Sequence, residues 1–283
     1  MPISKRIPIS RRRLALKLVI GGVVTASLGL ATAAEAPSVD PLLGPRVSLK
    51  SSWIGRRAVS RETPILMLAG HADSQKMEGS GTSGASVDLK GADPMDPSMR
   101  DELFWNLRVR DAVVKEGRRR GLSFLEYTPP VLTIANGNDP RTNWSQGKQH
   151  VERGGYALEI HFDAYGRDGY GSGLIPALHR HPTRIDESLA ASFGRYPLKF
   201  RGGLGAPKRG ISILEIGKLE GRLEEQLRSP LTREATLEDI ARRIVDAIEA
   251  GMPPKTTPTL SSPPDEDGNA PQGKDPRTSF EGE

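Results

Sequence analysis

The chain has no cysteine among its 283 residues. Disulfide bridges are excluded, and so are zinc sites built on thiolates. Any metal held here must be bound by imidazole, carboxylate and water. Charge is the second thing the working part lacks. The formal net charge is +5, yet residues 1–36 hold six of the 40 basic residues and one of the 35 acidic ones. The remainder balances at 34 of each sign. That excludes the basic footprint of a nucleic-acid-binding protein, so no nucleic-acid partner is expected.

One long apolar run stands out, Leu14 to Leu30. It follows Lys5, Arg6, Arg11, Arg12 and Arg13, and small residues come after it with two A-x-A patterns, Ala31-Thr32-Ala33 and Ala34-Glu35-Ala36. This is the layout of an export signal. Ser10-Arg-Arg-Arg-Leu-Ala-Leu-Lys17 is also similar to a twin-arginine leader, which would export the protein folded. An uncleaved anchor helix is the alternative, because a run of this length nearly spans a bilayer. Membrane contact is expected only through this segment, and the working part is expected outside the cytoplasm. Residues 37–62 have no clear periodicity and read as a linker or a short extra strand. Residues 253–283 carry seven prolines and almost no apolar side chains. Such a tail cannot bury enough surface to fold, so disorder is expected.

Residues 63–252 alternate strand-like and helix-like segments, which predicts one α/β domain of three layers, with a mostly parallel central sheet flanked by helices. Strand-like runs are expected at Pro64–His71, Leu122–Tyr127, Gly155–Tyr165 and Gly210–Gly217. A helix is expected from Ser98, with Ser98 and Asp101 as a capping box, Leu103, Leu107 and Val114 as its apolar stripe, and Gly121 ending it. Thr183 and Asp186 cap a short helix bearing Ile185, Leu189 and Phe193. Thr236 and Asp239 open a final helix with Leu237, Ile240, Ala241, Ile244 and Ile248 at helical spacing.

Several strand ends carry chemistry. His71 follows an apolar strand in Leu68-Ala-Gly-His71. Strand alternation puts Leu158, Ile160 and Phe162 on one face of the next, and Ala157, Glu159 and His161 on the other. A polar ring ending a buried strand needs a partner. Glu215, within Ile213-Leu-Glu-Ile-Gly217, is a carboxylate among apolar residues, costly unless paired, metal-bound or catalytic. Glu102 lies in the first turn of the Ser98 helix, where any acid suits the helix dipole.

In this order the residues resemble the zinc-dependent N-acetylmuramoyl-L-alanine amidases with an amidase-3 type catalytic domain, over roughly residues 64–251. The resemblance implies a cell-wall hydrolase of the periplasm or cell wall that acts on peptidoglycan. It implies one Zn2+ held by His71, Glu102 and His161, and Glu215 as the catalytic carboxylate. Glu159-Ile-His161-Phe-Asp163-Ala164 stands where the family has Ser-Ile-His-x-Asn-Ala, so Glu159 and Asp163 are departures. An insertion-like segment, Ser80 to Met99, separates His71 from Glu102 and leaves Glu78 as an alternative ligand. Two imidazoles and one carboxylate leave a fourth position open, the pattern of hydrolytic zinc. Two other readings stand beside this one: a zinc peptidase or amidase acting on another acyl-peptide bond, and an inactive cell-wall binding protein of the same fold.

Three further stretches invite a site. His179-Arg-His181 is similar to a metal pair, but its place before Pro182 reads as an exposed loop. Arg201-Gly-Gly-Leu-Gly-Ala-Pro-Lys-Arg-Gly210 lacks the following helix that a phosphate-binding loop requires. It reads as a loop feeding the Glu215 strand, with Lys208 and Arg209 placed to meet an anionic peptide. Asn136 to Arg141 is a turn-rich loop that could line the cleft.

Overall fold

The computed structural model describes residues 39–47, 53–178 and 180–255. The chain divides into two units, residues 1–36 and residues 37–283, and everything described belongs to the second. Residues 1–36, which read as an export signal, lie outside the described residues, as do His179 and residues 256–283 of the Pro-rich tail.

The elements in chain order are β1 (Val39–Asp40), β2 (Gly44–Pro45), β3 (Ile65–Ala69), α1 (Ala85–Asp88), α2 (Asp101–Arg119), β4 (Phe124–Glu126), α3 (Asn143–Glu152), β5 (Tyr156–Asp163), β6 (Gly173–Ile175), α4 (Arg184–Phe193), α5 (Gly205–Lys208), β7 (Ser212–Lys218), α6 (Gly221–Arg228) and α7 (Arg233–Ala250). Five strands form the central sheet in the order β4-β3-β5-β7-β6. The first four are mutually parallel, and only β6 runs antiparallel at the edge. The expected α/β class with a mostly parallel sheet is the observed one.

Parallel strands covered on both faces read as continuous apolar runs, and β3, Ile-Leu-Met-Leu-Ala, is buried at every position. Strand alternation divides the core. Ile65, Met67, Leu158, Ile160, Phe162, Leu214 and Ile216 pack with the buried stripes of α2, α4 and α7. Leu66, Leu68, Ala157, Ile211 and Ile213 face the other way, toward Val151 of α3 and Ala206 of α5. Trp105 of α2 is fully buried; removing such a ring typically costs about 3–5 kcal/mol.

The capping box of Thr183 and Asp186 forms as expected, and Gly121, at φ 77°, follows the end of α2. Two helix starts differ. The N-cap of α2 is Arg100, with no side-chain cap. Ser98 instead donates its Oγ–H to Asp96 Oδ1 at 2.6 Å, and Asp101 accepts from Met95 N at 2.7 Å and pairs with Arg228. Helix α7 begins at Arg233, because the Thr236 hydroxyl back-bonds to Thr232 O at 2.8 Å inside the helix and is not a cap.

The stretch expected as a linker is part of the fold. Leu43, Trp53 and Val59 are buried in the main core, Trp53 Nε1 donates to Tyr196 O at 2.8 Å, and the short strands β1 and β2 pair with each other. The apolar residues of this stretch are too widely spaced to show a period, so only packing reveals them.

Candidate metal centre

Strands β3, β5 and β7 point their C-terminal ends at one edge of the sheet, where open α/β sheets form clefts. Gly70 and His71 follow β3 at that edge. A side chain at Gly70 would place its Cβ 2.3 Å from His161 Cε1, so only glycine lets the strand end lie against that imidazole. The Gly70 carbonyl accepts from Asn106 Nδ2 at 3.1 Å, and the Ala69 carbonyl from Asn143 Nδ2 at 2.5 Å. These clamps from α2 and α3 fix the strand end. His71 then takes a left-handed backbone, φ 64°, uncommon outside glycine and frequent at functional positions.

Three donor atoms converge there. His71 Nε2 lies 3.3 Å from Glu102 Oε1, and His161 Nδ1 lies 3.2 Å from the same oxygen. The imidazoles meet edge to face, with centroids 4.8 Å apart. All three donor atoms fall within 4.8 Å of one another. Ligands at 2.0–2.1 Å from a tetrahedral zinc lie roughly 3.3–3.4 Å apart, so the spacing suits such an ion. Each ring turns its other nitrogen outward: His71 Nδ1 lies 3.4 Å from Ser74 Oγ, and His161 Nε2 lies 3.6 Å from Glu159 Oε1.

Glu102 reaches the site from the first turn of α2. Its second oxygen, Oε2, accepts from Thr82 N at 2.8 Å. Gly81 packs so closely over it that an added Cβ would stand 2.7 Å from Oε2 and 3.0 Å from His71 Cδ2. The segment that reads as an insertion therefore roofs the site. Glu78, the alternative ligand, is exposed and does not join the cluster.

Glu215 lies on β7 directly opposite His161 of β5. Its Oε2 is buried without a hydrogen-bond partner, as is Oε2 of Glu159. Burial pushes the Glu215 carboxyl up to about 8; His161 opposes the rise, while Asp163, Glu102 and Glu159 add to it. Burial would also raise Glu102, but the His71 and His161 imidazoles override that and hold it well below the usual carboxylate range. Burial would lower His161, yet Glu102 and Glu159 push it well above the ordinary imidazole value. Carboxylates outnumber imidazoles around this cluster and two of their oxygens are orphaned. A divalent cation would balance that excess.

Asp163 has a different task. It accepts from Ala164 N, Tyr170 N, Gly171 N and the Tyr196 hydroxyl, which ties down the β5–β6 connection just past a register shift between β5 and β7.

The structure thus brings together His71, Glu102, His161 and Glu215. It leaves out His181, which is exposed and precedes α4 at the opposite edge of the sheet. Arg209 is already engaged, donating to Asn138 Oδ1 at 2.8 Å and stacking 4.7 Å above the Trp144 ring. It joins the two loops read from sequence, while Lys208 stays exposed. Sequence reasoning missed Asn106 and Asn143. For Asn106 the available signal was an asparagine on the buried side of an amphipathic helix, which needs a partner; Asn143 opens a helix without an apolar stripe and gave no such signal.

No protein-family model matches the chain, and no curated protein matches it. Among solved structures it is similar to the catalytic domain of the CD27L endolysin targeting Clostridia difficile, at 18% identity over 68% of this chain and 99% of that one, with a TM-score of 0.46. It is similar to the catalytic domain of CwlV, an N-acetylmuramoyl-L-alanine amidase from Bacillus (Paenibacillus) polymyxa var. colistinus, at 15% identity over 65% and 96% of the chains, TM-score 0.42. It is also similar to a putative N-acetylmuramoyl-L-alanine amidase from Neisseria meningitidis, at 17% identity over 67% and 95%, TM-score 0.41.

Proposed function

We propose that this chain is an exported zinc-dependent amidase that cleaves the bond between the lactyl group of muramic acid and L-alanine in peptidoglycan. The observation that carries the reading is the convergence of His71 Nε2, Glu102 Oε1 and His161 Nδ1, with Glu215 on the adjoining strand. These are the four residues, distant in sequence, that the family resemblance singles out.

His71, Glu102 and His161 would hold the ion. When bound, zinc polarises an amide carbonyl and acidifies water so that hydroxide is available near neutral pH. Glu215 takes the proton from the attacking water and delivers it to the departing alanine nitrogen. Its carboxyl sits near 8 beside the other carboxylates, and a neighbouring cation lowers such a value, favouring the basic form. Gly81 and the backbone around Thr82 cover one side of the donor set and limit its contact with bulk water.

Muropeptides incubated with the purified protein and analysed by mass spectrometry test this. The expected products are free peptide stems beginning with L-alanine and glycan carrying a free lactyl carboxylate. Cleavage inside the stem would favour the peptidase alternative. Intact muropeptides after incubation with zinc-loaded protein would leave only a binding role.

A further inference from the structure

Glu159 has no part in the chemistry just described, yet it is a buried carboxylate in the middle of the sheet. It is 2% exposed on the central strand β5, paired with Leu68 of β3 on one side and Ile213 of β7 on the other. A carboxylate in that position is strongly destabilising without a compensating partner. Its Oε2 has no hydrogen-bond partner. Its Oε1 lies 3.6 Å from His161 Nε2, the ring nitrogen turned away from Glu102. Residues i and i+2 of a strand share a face, so Glu159 stands directly behind the ring as seen from the donor cluster. Gly70 closes the remaining space against that ring, which limits the ways it can turn.

We propose that Glu159 is a positioning residue for His161: it accepts the Nε2–H of the imidazole and so fixes the tautomer whose Nδ1 lone pair faces Glu102 and the metal. The inference rests on the metal-site reading above. A histidine that binds a metal through one nitrogen commonly donates its other N–H to a carboxylate, which orients the ring and raises its basicity. Only one nitrogen of a neutral imidazole carries a proton, so an acceptor behind Nε2 leaves Nδ1 free to bind. Glu159 does not join the three donors that could ligate the ion themselves.

The test uses the full chain as wild type, Glu159→Gln and Glu159→Ala, with zinc affinity measured by chelator competition. Long-range proton–nitrogen NMR of the histidine rings reports the tautomer. Wild-type protein loaded with zinc should show His161 protonated at Nε2. Glu159→Ala should bind zinc about 10–100-fold more weakly. Glu159→Gln, whose amide oxygen accepts the same proton, should recover most of that loss. A purely structural Glu159 would change the melting temperature of the metal-free variants and leave zinc affinity unchanged, which overturns the inference. A zinc-loaded wild type with His161 protonated at Nδ1 overturns it as well, even if the alanine variant does not fold. Wild-type protein that binds no zinc at all would remove the metal-site reading itself, a different failure from unchanged affinity in Glu159→Ala.

Discussion

Strands β5 and β7 have buried carboxylates at both ends, and the two ends treat them differently. At the N-terminal end, Asp186 accepts four hydrogen bonds at 2.7–2.8 Å, from the Tyr156 hydroxyl, the Ser212 hydroxyl, and the Thr183 amide and hydroxyl. At the C-terminal end, Glu159 and Glu215 each keep an orphaned oxygen, and Glu102 is held by two imidazoles, of which His161 also faces Glu159 and Glu215. A carboxylate whose donors are all supplied by the chain is structural and self-sufficient. A carboxylate cluster left short of positive charge would be stabilised by a cation from outside the chain. On the function proposed above, the same two strands separate a stability site from a chemical one.

The largest expected effect lies at the chemical end. His161→Ala or His71→Ala should take zinc content from about one ion per chain to nearly none, read by elemental analysis. Glu102→Ala should weaken binding too, and His181→Ala should not. Stoichiometric zinc in both histidine variants would abolish the proposed contrast. Next, Glu215→Gln keeps the shape of the side chain but cannot accept a proton. Turnover of peptidoglycan should fall by roughly 10²–10⁴-fold, while zinc content and melting temperature are retained. Unchanged turnover in a stable, zinc-loaded variant would end the role given to Glu215.

The structural end should respond in the opposite way. Asp186→Ala leaves the donors of Tyr156, Ser212 and Thr183 without their acceptor, costing about 2–4 kcal/mol in denaturant unfolding. Its zinc affinity should stay that of the wild type. A loss of metal in this variant would show that the two ends are coupled. The smallest effect is the pH dependence of the metal-free protein. Glu215 has a folded value near 8 against an ordinary 4.5. The folded state therefore binds more protons than the unfolded chain across that window, and stability falls as pH rises through it. His161, raised above 6.5, acts with the same sign: its contribution is present below 6.5 and is lost as pH rises past its folded value. Glu102, held low, acts only on the acid side, its contribution vanishing as pH falls below 4.5. Melting temperature should thus decline between about pH 4.5 and pH 8 without metal, and saturating zinc should flatten that slope by favouring the deprotonated forms. A flat profile in the metal-free protein would contradict the electrostatics described for the site.

What sequence revealed, and what it hid, follows from the range of each interaction. The stripe of α7 and the alternation of β5 are local periodicities, and both are legible. His71, Glu102, His161 and Glu215 are readable as candidates because each is a polar side chain in or beside an apolar strand or in the first turn of a helix, but their meeting depends on strand order. Helix α3 was hidden: its buried positions include Asn143 and Gly147, small or polar residues that leave no apolar stripe. Gly147 is there because Ile211 packs so close that a Cβ would stand 2.5 Å from its Cδ1. The cap at Ser98 was misread because Asp96, two residues away, offered its hydroxyl a nearer acceptor. Glu159 was visible as a departure from the family motif, but not as a side chain behind Nε2, since that depends on the rotation of the His161 ring.

The hydrogen bond from Thr82 N to Glu102 Oε2 bears on denticity. A carboxylate with both oxygens free can chelate an ion and fill two of its positions. Here one oxygen is already tethered by a backbone amide, which fixes the rotation of the carboxylate and leaves Oε1 as the atom that faces both imidazoles. Chelation through both oxygens would require an ion to share Oε2 with the Thr82 N–H, or the roof to move. Through a single N–H of the Ser80–Met99 segment, the chain biases Glu102 toward binding through one oxygen.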